Sequence, residues 1–297
     1  MRPAEAASCS GRSLAEGEAL LGTASRYRLW LFVEQPGRWE HDALVESGFP
    51  PEVGSRLRDL GLRLRMRVAL IKRRARPWPA ARRRVFASFT GVSERRIRTF
   101  EVDDPGELLE LDLPGHAGGR FAGLGEPVDG PLFVVCTHGK HDPCCARRGA
   151  PVYRALAERP DAWECTHIGG DRFAANLVCF PHGVYYGRVV PSRAVGLAEE
   201  YARGRLDLEH YRGRSCYSPA VQAAEHHIRE REEVVGVDDL RLEGHRPLGG
   251  GVHRVSFRLP DGAVREMRVT VSLGEPRALT CKAGELHRPR RFSVEDV

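Results

Sequence analysis

The cysteines of this chain are unevenly placed, and their placement limits what its middle third can be. Of eight in all, Cys136, Cys144, Cys145, Cys165 and Cys179 crowd into one short stretch, while Cys9, Cys216 and Cys281 stand alone. Residues 1–23 carry Glu5, Ser8, Ser10, Arg12 and Glu16, which interrupt any apolar core of signal-peptide length, so a cytoplasmic location is expected. Thiols there stay reduced unless a metal holds them. The clustered set therefore reads as metal chemistry, except Cys179, which falls in an apolar strand pattern and reads as a small buried hydrophobe; the scattered ones read as bland residues.

Organisation along the chain supports a mixed α/β reading. At 297 residues the chain exceeds one typical domain. Residues 1–20 are expected to be a disordered tail. Residues 21–114 open on the apolar run Leu29-Trp-Leu-Phe-Val and continue with a helical pattern at 51–60 and strand patterns at 67–71, 84–89 and 97–102. This unit has no cysteine, its single histidine is His41, and it reads as a fold without chemistry. A glycine-rich stretch at 115–130 marks a linker. Residues 131–211 then alternate strand, loop and helix, with a helix expected at 150–158 whose start Gly149 and Pro151 set, and a hairpin signal at Pro181-His-Gly183. Residues 212–297 read as a small α+β region.

Two loops carry the chemistry. They are Cys136-Thr-His-Gly-Lys-His-Asp-Pro-Cys-Cys145 and Cys165-Thr-His167-Ile-Gly-Gly-Asp171, and each follows a strand pattern. In an open α/β sheet, loops beyond the carboxyl ends of the strands converge on one crevice. Thiolates with imidazole suit zinc or an iron-sulfur cluster, not magnesium or calcium. Zinc knuckles place ligands two to four residues apart, which Cys136 and Cys145 exceed. Gly139, Gly169 and Gly170 would let backbone approach a cofactor, and Arg172 and Lys140 would set positive charge beside it. Spacing alone leaves zinc and a cluster both open.

The stretch Cys145-Ala-Arg-Arg-Gly, followed by Phe180-Pro-His-Gly-Val-Tyr-Tyr-Gly187, resembles the thioredoxin-like 2Fe-2S ferredoxins. The longer match, from Gly22-Thr-Ala and Trp30 to the Gln222-Ala-Ala-Glu helix, is similar to the sucrase/ferredoxin-like family. The resemblance implies tandem thioredoxin-like domains, the second binding a 2Fe-2S cluster through Cys136, Cys145, His167 and position 171. Some members carry His-x3-His there, so Asp171 departs from the pattern. Cys165 and Cys144 are the alternatives for the fourth ligand.

The function so implied is electron transfer to a redox protein partner, by a carrier rather than a catalyst. The rival readings are a structural zinc protein and a thiol-disulfide oxidoreductase using Cys144 and Cys145. No Cys-x-x-Cys supports the latter. No paired carboxylate motif supports glycoside hydrolysis. The net charge of +6 comes from arginines spread over 56–98 with few aromatics, which argues against a nucleic-acid partner. The apolar runs are strand-sized, far short of the roughly 20 residues of a membrane helix.

Overall fold

Strand Leu29–Glu34 (β1) is buried on both faces and pairs in parallel with Met66–Lys72 (β2), which fits its unbroken apolar run. The helix Pro51–Leu64 (α2) makes the crossover between them. Arg83–Thr90 (β3) then pairs antiparallel with β1, and Arg95–Val102 (β4) with β3. The second set repeats this pattern. Leu132–Cys136 (β6) and Ala162–Cys165 (β7) are parallel across the helix Pro143–Leu156 (α3), while Leu177–Phe180 (β8) and Val184–Tyr186 (β9) add antiparallel strands. The helix Pro191–Ala202 (α4) follows. The computed structural model describes residues 7–73, 82–116 and 123–297.

Together with Glu126–Pro127 (β5) and Tyr211–Arg214 (β10), these strands form one ten-stranded sheet in the order β10-β9-β8-β6-β7-β2-β1-β3-β4-β5. Each quartet thus has its first strand beside its second and third, with the fourth outside the third. The chain is thus a mixed α/β protein of thioredoxin-like class. The quartets meet where β2 pairs antiparallel with β7, Ile71 opposite Cys165.

Side chains alternate across strands, and the core divides accordingly. Leu31, Val33, Leu70 and Val85 pack with Leu57 of α2. The intervening Trp30, Phe32, Ile71 and Phe86 join Val134, Trp163, Val178 and Phe180 in a cluster that spans both quartets. Phe133, Val135, Leu177 and Cys179 lie against Val152 and Leu156 of α3 and Leu197 of α4. Cys179 is the small buried hydrophobe its strand pattern suggests.

The helix Pro219–Arg231 (α5) packs on a separate four-stranded antiparallel sheet formed by Arg241–Gly249 (β11), Val252–Arg258 (β12), Val264–Leu273 (β13) and Arg290–Asp296 (β14). Val255, Phe257, Met267 and Val269 meet Ala220, Ala224 and Ile228 there.

Three expectations change. Residues 1–20 are not a disordered tail over their described part, since Cys9–Ala15 forms a helix (α1) capped by the Ser8 side chain, with Cys9 and Ser10 buried. The stretch at 115–130 contains β5, and residues 117–122 lie outside the described residues. The helix expected from 150 begins earlier, at Pro143, so Gly149 and Pro151 are interior to it. Gly149 has a packing reason, because an added Cβ would stand 2.0 Å from the Cys136 carbonyl oxygen.

Candidate metal centre

β6 ends at Cys136 and β7 at Cys165, and the two residues are opposite each other in the parallel register. Both loops therefore leave the same sheet edge side by side. The first loop closes on Asp142, whose carboxylate caps α3 by accepting the Cys144 N–H at 2.8 Å. Pro143 follows in the first turn, where its missing N–H leaves no bond unmet. Cys144 and Cys145 thus sit at a helix N-terminus, whose partial positive charge favours thiolate. Consecutive helical residues point about 100° apart. Cys145 accordingly faces Asp171, while Cys144 faces Cys9.

The second loop is turned back by Gly169 and Gly170, with φ of 98° and 81°. The short 3-10 turn Asp171–Phe173 then returns Asp171 toward His167. Buried Arg212 braces the turn, donating to Asn176 Oδ1 at 2.7 Å and to the Gly169 carbonyl at 3.4 Å. Asn176 Nδ2 donates in turn to the Gly170 carbonyl at 2.9 Å.

The two loops converge. The donor atoms of Cys136, Cys145 and His167 all lie within 4.8 Å of one another. Asp171 Oδ1 stands 2.9 Å from His167 Nδ1 and accepts from the Cys145 thiol at 3.1 Å. Cys165 shares the apolar cluster with Cys136 but is not part of this donor group, and burial pushes its thiol pKa up.

Charge at the site is set by these contacts. The Cys145 thiol hydrogen-bonds to Cys136 and pulls the Cys136 pKa well down; His167 and the His138 backbone N–H add to this against burial. Cys145 is raised, first by that same bond and then by burial. Burial disfavours the His167 cation, yet Asp171 and Cys136 outweigh it and raise its pKa to about 9. Burial opposes ionisation of Asp171 too, but His167 holds it below the ordinary carboxylate value. Burial, with the neighbouring His167 charge, lowers His141 to about 4.

The other expected contributors are less uniform. Gly139 packs on Ala146, Gly169 on Ser25 and Gly170 on Arg212. Arg172 turns away from the donors: its Nε donates to Glu18 at 2.9 Å and its guanidinium lies 4.3 Å from the Phe173 ring centre. Lys140 pairs with Glu40 at 3.3 Å.

Several further residues stand beside the donors, and two of them, His138 and His141, lie in the first ligand loop and are legible there as neighbours of the site. His141 stacks on His167 with ring centres 3.7 Å apart, and its Nε2 is 3.7 Å from Asp171 Oδ2. Arg67 of β2 donates to the His167 carbonyl. His41 stacks on His141 at 5.9 Å, and Glu40 O is 2.7 Å from His138 Nε2. The first quartet is thus not free of chemistry, because it walls the site. His141 had a local signal in its loop; Arg67 and His41 had none, being far away in sequence. A groove of about 1120 Å³ opens alongside, lined by His41, His138, His141 and His167 and by Arg26, Arg28, Arg58, Arg65 and Arg67.

Known proteins bear on this geometry. The chain is 32% identical over 96 residues to altered inheritance of mitochondria protein 32 of Debaryomyces hansenii, covering 28% of this chain and 35% of that protein. The protein of that name from Meyerozyma guilliermondii is 28% identical over 101 residues, covering 30% of this chain and 36% of that protein. The match thus spans about a third of the length of these curated relatives. Two cysteine-to-serine variants of the thioredoxin-like 2Fe-2S ferredoxin from Aquifex aeolicus, seen in crystal structures, are 19% and 20% identical, with TM-scores of 0.25 and 0.24. Each covers 27% of this chain and 96% of the ferredoxin. TM-scores of that size establish neither fold nor chemistry. The pattern of the sucrase/ferredoxin-like family, by contrast, matches residues 20–213, about two thirds of the sequence and all of both loops. The chain belongs to the sucrase/ferredoxin-like family.

Proposed function

We propose that this protein is a 2Fe-2S electron carrier in which Cys136, Cys145, His167 and Asp171 hold the cluster. The observation that carries this reading is the convergence of two buried thiols, one imidazole and one carboxylate from separate loops at one sheet edge. The donor set fits the group: thiolates are the usual ligands of such clusters, and imidazole can replace part of them. When bound, the cluster supplies a one-electron couple.

The chain's own residues prepare the site. Cys136 is held toward thiolate by the Cys145 thiol and the His138 N–H. Arg67 fixes the His167 peptide, and the His141 ring packs over the imidazole. Apolar neighbours such as Trp163, Ile168 and Phe180 keep the sulfur side dry. Asp171, harder and more negative than the second imidazole of some relatives, favours the oxidised state. The arginines lining the groove suit a redox partner with an acidic surface.

Residues 21–114 and 131–211 are, in this reading, two thioredoxin-like units, the first a cluster-free wall for the second. Among the described residues no helix is long and apolar enough to cross a membrane. All eight cysteines are free thiols, which suits the reducing cytoplasm.

A single zinc ion is the second reading, favoured by the closeness of the donors, all within 4.8 Å. Disulfide exchange between Cys144 and Cys145 has no such support, because the two side chains face different neighbours. Anaerobic purification with iron, zinc and acid-labile sulfide analysis separates the readings. Red-brown protein with equimolar iron and sulfide, lost in Cys136→Ser and Cys145→Ser, is expected. Colourless protein with zinc but no iron, or iron that survives both substitutions, would overturn the proposal.

A further inference from the structure

Three cysteines that looked unremarkable in sequence or were cast in another role meet on the other side of the α3 N-terminus. Cys9 comes from α1, Cys144 from the first turn of α3, and Cys281 from the segment between β13 and β14. Cys9 Sγ lies 3.6 Å from Cys144 Sγ, and Cys144 Sγ lies 3.5 Å from Cys281 Sγ. The Asp142 carboxylate oxygens stand 3.7 and 3.6 Å from Cys9 Sγ. One donor atom from each of the four residues lies within 4.8 Å of all the others. Cys9, Cys144 and Asp142 are buried, and Cys281 closes the group from the surface.

These distances have a natural interpretation. Zinc–sulfur bonds of about 2.3 Å in a tetrahedron put sulfurs about 3.8 Å apart. A disulfide would need about 2.05 Å. The observed contacts fall near the tetrahedral edge. Second contacts also hold the donors in place. Asp142 accepts the Cys144 N–H at 2.8 Å and the Cys281 N–H at 2.6 Å. Ser10 Oγ donates to Cys144 Sγ at 3.2 Å, the Cys9 N–H donates to Cys281 Sγ at 3.3 Å, and Arg148 Nε holds Ser10 Oγ at 2.8 Å. Such outer bonds orient ligands in structural metal sites.

We propose that Cys9, Cys144, Cys281 and Asp142 form a structural site for a thiophilic divalent cation of the zinc class, separate from the centre at Cys136. Three sulfurs and a carboxylate select such an ion over magnesium or calcium. Four protein donors close the coordination sphere, which marks a structural and not a catalytic role. Binding releases the thiol protons to solvent. The ion ties α1 and the segment between β13 and β14 to the helical turn that carries Cys145, so it clasps the first ligand loop from outside.

Metal analysis of the full chain, with cobalt(II) as a probe on metal-stripped protein, tests this. One zinc per chain is expected in wild type and in Cys136→Ser. Zinc and the cobalt–thiolate absorption band should both vanish in Cys281→Ser, whose surface position leaves the fold intact by circular dichroism, and in Cys9→Ser. Iron and sulfide should be unchanged in Cys281→Ser. Wild type without zinc and without a cobalt–thiolate band, zinc retained in both variants, zinc lost only in Cys136→Ser, iron lost with Cys281→Ser, or a disulfide among the three in unreduced protein would each overturn the proposal. The two metal readings fail separately, since Cys136→Ser reports on one centre and Cys281→Ser on the other.

Discussion

The Cys145 thiol donates to Asp171 Oδ1 across 3.1 Å, so the residue that departs from the His-x3-His pattern is bonded to a candidate thiolate ligand. Replacing a carboxylate by imidazole removes negative charge from the site and should favour the reduced form. Asp171→His is expected to raise the reduction potential of the iron-loaded protein, and Cys165→Ala to leave it unchanged, as read by potentiometric titration. An unmoved potential in Asp171→His, together with iron loss in Cys165→Ala, would shift the fourth ligand to Cys165.

Gly149 lets α3 lie against the backbone of Cys136, where a Cβ would come within 2.0 Å of the carbonyl oxygen. Backbone cannot yield as a side-chain tip can, and overpacking of this kind costs about 1–3 kcal/mol. Gly149→Ala should lower stability by that amount in urea and also reduce iron content, since the helix and the ligand strand move apart. Full iron loading in a destabilised variant would show that the strain is absorbed elsewhere.

Arg26 and Arg28 are exposed and line the groove beside His167. A positive groove speeds the approach of anions, by about 10-fold or more at low salt. The double variant Arg26→Glu with Arg28→Glu should slow reduction by dithionite, an anion, by about that factor. The difference should shrink at molar salt, where the Debye length falls to about 3 Å. Equal rates at low salt would remove the groove from the electron path.

Glu225 lies between two buried arginines, 3.3 Å from Arg214 Nε and 3.0 Å from Arg229 Nη2, and accepts from the Tyr211 hydroxyl at 2.6 Å. Neutralising it removes the carboxylate the two cations share and leaves Arg214 with only Asp238 Oδ1, 3.7 Å away. Glu225→Gln should destabilise the fold by about 3–5 kcal/mol. A change below about 1 kcal/mol in chemical denaturation would contradict a dry, charge-balanced network.

Burial alone would raise the Asp207 carboxyl, but hydrogen bonds from His210 and Arg193 outweigh it and hold it below the usual carboxylate range. A depressed folded pKa means stability that is full above the unfolded value near 4 and is lost as pH falls through the folded one. At pH 7 Asp207→Asn should cost about 1–2 kcal/mol. The gap between the variant and wild type should begin to narrow below about pH 4, the unfolded value, and go on narrowing as the pH falls toward the folded one. A gap independent of pH in urea melts would place the effect in packing instead.

Much of this molecule is legible from local pattern. The unbroken apolar run at Leu29 and the Pro181-His-Gly183 turn announce a buried strand and a hairpin, because period and turn chemistry act over a few residues. The α3 boundary was not legible. A proline at residue 151 suggests a helix start, while the true cap is the Asp142 side chain, whose bond to Cys144 is a geometric fact.

By itself the sequence determined the α/β class, the family, and the pair of loops that carry soft ligands, since these follow from residue type and spacing along one chain. Only the tertiary structure decided that Cys144 and Cys145 part company, that Arg67 and His41 wall the centre, and that Cys9 meets Cys281. Helical rotation separates neighbours by about 100°, while sheet register and the docking of chain ends join residues far apart in sequence. Contacts of that second kind leave no mark on local spacing.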